Sequence, residues 1–209
     1  MRSNIDLIKD SVEILSGKWS DVIPTFFFYA IIAQVSGDFL KLYLGFGLFQ
    51  AGLFDVMYFA LTAPMSVGII IYSLAIVNGK EFSFNQIFKP YDDYLKTLGL
   101  VFVLVLMIIG GFILFIIPGI IISLIYSMSL YVLAEEPEIS IINALKKSSE
   151  LTQGFRTKLF LLGLIYSGLA ILSIFTLFIG LIWLMPLFGI TSANFYNELK
   201  RNQSVKKIS

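Results

Sequence analysis

Long uncharged apolar stretches alternate with short polar segments along this chain, and the lengths of the apolar stretches predict transmembrane helices. The first run covers about Val22 to Val35. The second covers about Val56 to Val77, where Asn78 and Gly79 signal a turn. A third starts at Thr97 and meets Pro118 and Gly119. One unbroken helix from Thr97 to Ala134 would be about 57 Å long, nearly twice the ~30 Å hydrocarbon core, so the chain has to turn back near Pro118. A fourth run then returns to Ala134, a fifth covers about Leu159 to Phe178, and after Gly180 a sixth covers about Leu181 to Tyr196. Between the first two, FLKLYLGFGLFQAGLF (39–54) is apolar but holds Lys41, Gln50 and several glycines. It reads equally well as an interfacial or re-entrant segment and as an extension of its neighbours.

The polar segments carry a helical period of their own. Ser3 to Gly17 reads SNIDLIKDSVEILSG and Ser140 to Gly154 reads SIINALKKSSELTQG. Aligned without a gap they share Ser3/Ser140, Ile5/Ile142, Lys9/Lys146, Ser11/Ser148, Glu13/Glu150 and Gly17/Gly154. Serine at the start can cap free helix amides, Ile5, Ile8, Val12 and Leu15 follow helical spacing, and glycine can end the helix in a left-handed turn. A third, degenerate copy has Ser83 and Gln86 spaced as a capping box, with Pro90 near the place of the closing glycine. The returning runs echo one another too: Pro64 precedes Tyr72 and Ser73, Pro118 precedes Tyr126 and Ser127, and Pro186 precedes Asn194 and Tyr196. The expected fold is all-α, a polytopic membrane helical bundle of six spans. It is built as three parallel repeats of a cytoplasmic amphipathic helix plus a transmembrane hairpin, at about 3–79, 80–137 and 138–200. Residues 1–209 form a single domain in this reading, and 201–209 are a polar tail. Parallel repeats differ from the inverted repeats of many alternating-access transporters.

Charge placement gives the orientation. Every Lys and Arg except Lys41 lies in the N-terminal segment, in one of two loops (Lys80, Lys89, Lys96; Lys146, Lys147, Arg156, Lys158) or in the C-terminal segment. Cytoplasmic segments carry the Lys/Arg excess, so three hairpins should each leave the cytoplasm and return to it, with both termini inside. Composition agrees: 57% of residues are apolar and 14% charged, against about 25% charged in soluble domains. The first twenty residues have charges throughout and no cleavage-type site, so they are not read as a removable signal peptide. A net charge of +1 with no basic stripe argues against nucleic-acid binding. With no Cys and no His, disulfides, thiol nucleophiles, thiolate metal sites and the commonest general base are absent. No cofactor is expected.

Several stretches resemble one family. They are SVEILSGKWSDVI, FSFNQIFKPYDDYLKTLGL, the run from Ile117 to Leu162 that opens IPGIIISLIYSMSLYVLAEEPE, and GLIWLMPLFGITSANFYNEL. They are similar to the bacterial integral-membrane proteins of domain-of-unknown-function family 975, and the resemblance extends over nearly the whole chain. The most specific part is Ile117, Pro118, Gly119, Tyr126, Ser127 and Leu133 to Gly154. The family is also distantly similar to membrane domains attached to some glycerophosphodiester phosphodiesterases, whose hydrolase domain has no counterpart here. The resemblance implies a six-span bacterial plasma-membrane protein and supplies no catalytic residues.

Candidate chemistry is sparse. Asp55 reads as an N-cap or interface-anchored carboxylate, and Glu198 as an interfacial charge beside Lys200 and Arg201. No charged residue falls near the middle of an expected span, which disfavours proton-coupled transport. Hydroxyl and amide groups within the spans read first as interhelical glue. The functional alternative is a polar cleft lined by Tyr72, Tyr126, Ser127 and Asn194. Trp19 and Trp183 read as interfacial anchors. Glu135, Glu136, Lys146 and Lys147 form a candidate cytoplasmic docking surface. Three function classes follow. The preferred one is a non-catalytic membrane module whose cytoplasmic helices lie on the inner leaflet and bind lipid or a protein partner. The second is a permease or exporter of a small amphiphile. The third is a lipid-modifying enzyme, which would need Asp92, Asp93, Glu135, Glu136 and Glu138 to meet. The absence of cysteine makes the orientation testable: single cysteines at Ser83, Ser148 and Ser204 should resist an impermeant thiol reagent in intact cells, whereas one at Ser36 or Gly47 should react. Labelling at Ser83 and Ser148 from outside would refute this orientation.

Overall fold

The computed structural model describes residues 2–208, and these are helical along most of their length with no strand among them. In chain order the helices are α1 (Asn4–Leu15), α2 (Trp19–Ala30), α3 (Ser36–Leu44), α4 (Leu48–Val77), α5 (Tyr94–Leu114), α6 (Ile116–Tyr126), α7 (Ser129–Glu135), α8 (Ile141–Thr152), α9 (Arg156–Ser173) and α10 (Leu181–Ile208). A π-helical stretch, Ile31–Val35, joins α2 to α3, and two 3-10 turns, Phe84–Ile87 and Lys89–Tyr91, precede α5.

Among the described residues four stretches are long and apolar enough to cross a membrane: Phe49–Val77, Tyr94–Leu114, Ile116–Glu135 and Arg156–Thr176. They make this a membrane protein. They correspond to the second through fifth expected spans. The first expected span falls in a shorter apolar helix, Trp19–Ala33. The sixth is the first part of α10, a stretch that buries Thr191, Ser192 and Asn194. The same helix continues to Ile208, through most of the segment expected as a tail. The turn between the third and fourth spans lies at Phe115, not at Pro118. Pro118 sits in the first turn of α6, where a missing N–H costs nothing. Gly111 and Gly119 let α5 and α6 close beneath it: a Cβ on Gly111 would stand 2.9 Å from the Gly119 Cα.

The helices expected from Ser3 and Ser140 form as their caps dictate. The Ser3 hydroxyl accepts from the Asp6 amide at 3.1 Å, and the Asp6 carboxylate accepts from the Ser3 amide at 3.3 Å. Hydrogen bonds from Ser3 hold the Asp6 carboxyl below its usual range. Ser140 accepts from the Asn143 amide at 3.3 Å. Each helix is followed by a glycine in the left-handed region, Gly17 (φ 76°) and Gly154 (φ 82°), which a Cβ would strain. The third copy departs from expectation. Ser83 caps nothing, Gln86 turns its amide to the Glu81 carbonyl, and the segment winds into 3-10 turns in place of an α-helix. Pro90 supplies no amide there and disfavours α geometry at Lys89.

One face of each of α1 and α8 is buried in protein, but of the four residues expected to form the α1 stripe only Leu15 is fully covered and Ile5 and Val12 are exposed. Leu7, Leu15 and Ala144 are fully buried and Leu151 nearly so, leaving Ile5, Val12 and Ile142 as the large exposed apolar groups. Ser148 is fully buried as well, so a cysteine there would report on packing and not on sidedness. The packing is cyclic. The 84–91 segment lies on α4, α8 lies on α6 and α7, and α1 lies on α10. Each segment that leads into a hairpin thus covers the returning helix of the hairpin before it, with the first covering the last. α4 occupies the middle and touches α2, α5, α7 and α10. The outlying hairpin ends carry exposed Leu42, Tyr43 and Phe49, then Ile113 to Ile117, then Phe175 and Leu177.

The proline inside α4 leaves one carbonyl without its helical donor, and a tyrosine from another element fills it; tyrosines also bond carbonyls near the other irregularities. Pro64 has no N–H for the Ala60 carbonyl, which accepts instead from the Tyr94 hydroxyl at 3.0 Å. The neighbouring Leu61 carbonyl accepts from Tyr91 at 2.5 Å, and burial pushes the Tyr91 phenol up, so it keeps its proton. Near Pro24 the Asp21 carbonyl accepts from Tyr72 at 3.3 Å, and beside Pro186 the Leu187 carbonyl accepts from Tyr166 at 3.3 Å. In the π-helical stretch the Ile32 carbonyl accepts from Tyr58. Tyr94→Phe should therefore destabilise by about 0.5–1.5 kcal/mol, read as a lower melting temperature in detergent. In a Pro64→Ala background, where residue 64 can donate to Ala60 itself, the same change should cost much less; equal costs in both backgrounds would refute the repair.

Candidate functional site

A cavity of about 940 Å³ lies where α1, the end of α4 and α10 meet. Its two long walls differ in charge. The α1 wall contributes Asp10 and Glu13 along with Arg2, and the α10 wall contributes Asn194, Asn197, Lys200 and Arg201. Helical spacing produces the second wall, because residues 194, 197 and 201 fall on one face at intervals of three and four.

The polar groups interlock across the cleft. Arg2 forms ion pairs with Asp10 and, through Nε at 3.2 Å, with Glu198. Glu198 is only 5% exposed, so the carboxylate at this end of α10 is buried in protein and paired. Glu135 of α7 accepts from the Lys200 Nζ at 2.5 Å and from the Tyr196 hydroxyl at 2.8 Å. At the end of α4, the Asn78 side-chain oxygen accepts from the Asn197 amide at 2.8 Å. Asn194 is 4% exposed, and its Nδ2 has no hydrogen-bond partner among the described residues. Arg201 is exposed and makes no ion pair among them.

The four residues expected to line one polar cleft are dispersed. Asn194 faces the α1–α10 cleft, whereas Tyr72 lines a separate cavity beside α2. Tyr126 packs half-buried against the core, and the Ser127 hydroxyl donates to the Leu124 carbonyl of its own helix at 2.9 Å. Most span hydroxyls behave like Ser127: Ser66, Ser73, Ser123 and Ser173 each bond a carbonyl three or four residues earlier. The interhelical role expected of them falls to tyrosines, to the Tyr166–Thr191 pair at 2.6 Å and to α8. There, the Ser148 hydroxyl accepts from the Met128 amide at 3.1 Å and donates to the Ile125 carbonyl at 3.0 Å, while Thr152 reaches the same carbonyl at 3.1 Å. These bonds mend the break between α6 and α7.

Of the expected docking surface, Glu136 pairs with Lys147, Glu135 turns to α10, and Lys146 is exposed. Asp92 and Asp93 line a small cavity with Pro137, but Glu138 reaches toward Lys96 at 3.9 Å. Among the described residues no three acidic side chains converge as metal ligands would. Asp55 is no N-cap: it lies within α4 and accepts from the Lys41 Nζ of α3 at 2.6 Å. Trp19 and Trp183 line one shallow groove together with Val12. Arg2 was not foreseen as a site residue, since its partner Glu198 lies at the other end of the sequence.

The most specific residues of α6 to α8 and the amide-bearing face of α10 lie within a stretch, residues 91–203, that matches the family described as "Protein of unknown function (DUF975)". The chain belongs to this family. The match takes in α5 to α9 and most of α10, so within DUF975 the α10 wall of the cleft is family territory and the α1 wall lies outside the matched stretch. No curated protein and no solved structure matches the chain.

Removing Arg2 would leave the Glu198 carboxylate buried beside α1 without its cation. Arg2→Ala should lower stability by about 1–3 kcal/mol, and Arg2→Ala with Glu198→Gln should recover part of that loss in thermal unfolding. No recovery would mean that the pair does not tie α1 to α10.

Proposed function

We propose that this chain is a non-catalytic, multi-pass membrane module that holds a zwitterionic phospholipid headgroup in the α1–α10 cleft. The carrying observation is the opposition of the two walls. Asp10 and Glu13 suit an ammonium group, and Arg201 with the unpartnered amide of Asn194 on the opposite wall suits a phosphate. The cleft volume of about 940 Å³ exceeds what a headgroup fills, leaving room for the glycerol region. In this reading the chain makes six spans as three repeats, with the Trp19–Ala33 helix and the first part of α10 completing the outer pairs. Both termini and the cleft face the cytoplasm of a bacterial plasma membrane. The support is that Arg2, Lys200 and Arg201 surround the cleft and that cytoplasmic segments carry such excess.

What supports a non-catalytic role is that Glu135, Glu136 and Glu198 are each engaged in ion pairs. The permease reading is the weaker one, because Tyr72, Tyr126 and Asn194 do not share a cavity. A protein partner would have to use the exposed faces of α1 and α8, where Ile5, Val12 and Ile142 remain uncovered.

Native mass spectrometry of protein released gently from its own membrane tests the proposal. One phospholipid should stay bound per chain, and Arg201→Glu, at an exposed position, should reduce its retention about tenfold, or ~1.4 kcal/mol. A stoichiometric protein partner with no retained lipid, or unchanged retention in the variant, would overturn it.

A further inference from the structure

A second cavity, of about 660 Å³, opens between α2, α4 and the segment that follows α4, and it shares no lining residue with the α1–α10 cleft. Its walls hold four aromatic rings, Phe28, Tyr72, Phe82 and Phe84. Phe28 and Phe84 meet edge to face with centroids 4.9 Å apart, and Tyr72 and Phe82 do the same at 5.6 Å. In such pairs at least one ring keeps both faces uncovered by its partner.

Besides Asp21, the polar side chains of the wall are the hydroxyls of Ser20, Thr25, Tyr72 and Ser83, and the two deepest are already spent as donors. Thr25 donates its hydroxyl proton to the Asp21 carbonyl at 3.0 Å, and Tyr72 donates to the same carbonyl at 3.3 Å. Both protons are thus committed inside the wall, and the hydroxyl oxygens keep lone pairs to offer. No Lys or Arg lines the cavity, and Asp21 supplies its one charge. Asp21 makes no ion pair among the described residues. Aromatic faces, hydroxyl acceptors and an uncompensated carboxylate attract a cation and repel an anion.

We infer that this cavity binds a small organic cation, with an ammonium or quaternary ammonium centre against the Tyr72, Phe82 and Phe84 rings and its charge balanced by Asp21. The cation can be the choline-type end of a lipid headgroup or a free amine, and the same chemistry recognises both. The third polar segment departs from the helix of its two relatives at this point: its extended start brings Phe82 and Phe84 back beside α2, where an α-helix begun at Ser83 would carry them elsewhere.

The test uses the full chain in nanodiscs free of choline lipids, titrated with choline and with its neutral isostere 3,3-dimethylbutan-1-ol by calorimetry. Choline should bind saturably, at least tenfold tighter than the isostere. Asp21→Asn and Phe84→Leu, both at exposed positions, should each weaken it at least tenfold with melting temperatures unchanged. A parallel arm compares retention of phosphatidylcholine and phosphatidylglycerol in native mass spectra of the Arg201→Glu variant, with and without Asp21→Asn, so that lipid held by the α1–α10 cleft is not counted. Saturable binding of free choline identifies a free-cation site, and preferential retention of phosphatidylcholine without it identifies a headgroup site. Equal binding of choline and the isostere, indifference to Asp21→Asn, or binding of neither free choline nor phosphatidylcholine would overturn the inference. Loss of lipid from the α1–α10 cleft would leave these readings unchanged, because the two cavities have no residue in common.

Discussion

Inside hydrocarbon a backbone carbonyl or amide has no water to turn to, so every departure from regular helix needs a partner supplied by the protein. This chain departs often. It places prolines inside α2, α4 and α10, a π-helical stretch after α2, and a break between α6 and α7. At each of these places a side chain from another element takes up a carbonyl near the break. Tyr72, Tyr58, Tyr94, Tyr166 and the Ser148–Thr152 pair do so in turn. The tertiary arrangement is therefore tied to the irregularities, since the donors reach only if the elements lie as they do.

That dependence explains the place of the segments between hairpins. An amphipathic helix on a membrane surface would spend its apolar stripe on lipid. Here α8 turns Ala144, Ser148, Leu151 and Thr152 inward, so that one face delivers both hydrophobic contact and two hydroxyls to the α6–α7 break. The equivalent serine of α1, Ser11, is also fully buried but bonds the Leu7 carbonyl of its own helix at 2.7 Å, because α10 beside it has no break to mend. Similar sequences serve different local needs at equivalent positions.

How far the sequence disclosed this varies with the range of the interaction. The caps at Ser3 and Ser140 and the left-handed glycines at 17 and 154 depend on a few neighbouring residues, and spacing alone revealed them. The turn at Phe115 was placed three residues late because proline is tolerated in a first helical turn as well as at a break. The 84–91 segment looked helical by spacing, yet its conformation is decided by contact with α4: a Cβ on Gly68 would stand 2.0 Å from the Ile87 carbonyl oxygen, an approach that no local pattern announces. The candidate clefts were harder still. Asn194 was legible as an odd amide in an apolar stretch, but its neighbours Arg2 and Asp10 come from the opposite end of the chain. Asp21 and Phe82 to Phe84 carried no motif, and only the folded proximity of α2 to the segment after α4 gives them a shared purpose.

The cyclic packing has a consequence in time. The 84–91 segment finds α4 as soon as both are made, and α8 finds α6 and α7 just behind it. α1 is different: its partner α10 is the last helix in the chain, and the bond from Arg2 to Glu198 joins residues 196 positions apart. During synthesis Leu15 can pack as soon as α2 and α4 are made, whereas the α10 side of α1 stays open until the last helix exists. The contact between α1 and α10 thus joins the two ends of the chain, and the ring of hairpins closes only when α10 arrives.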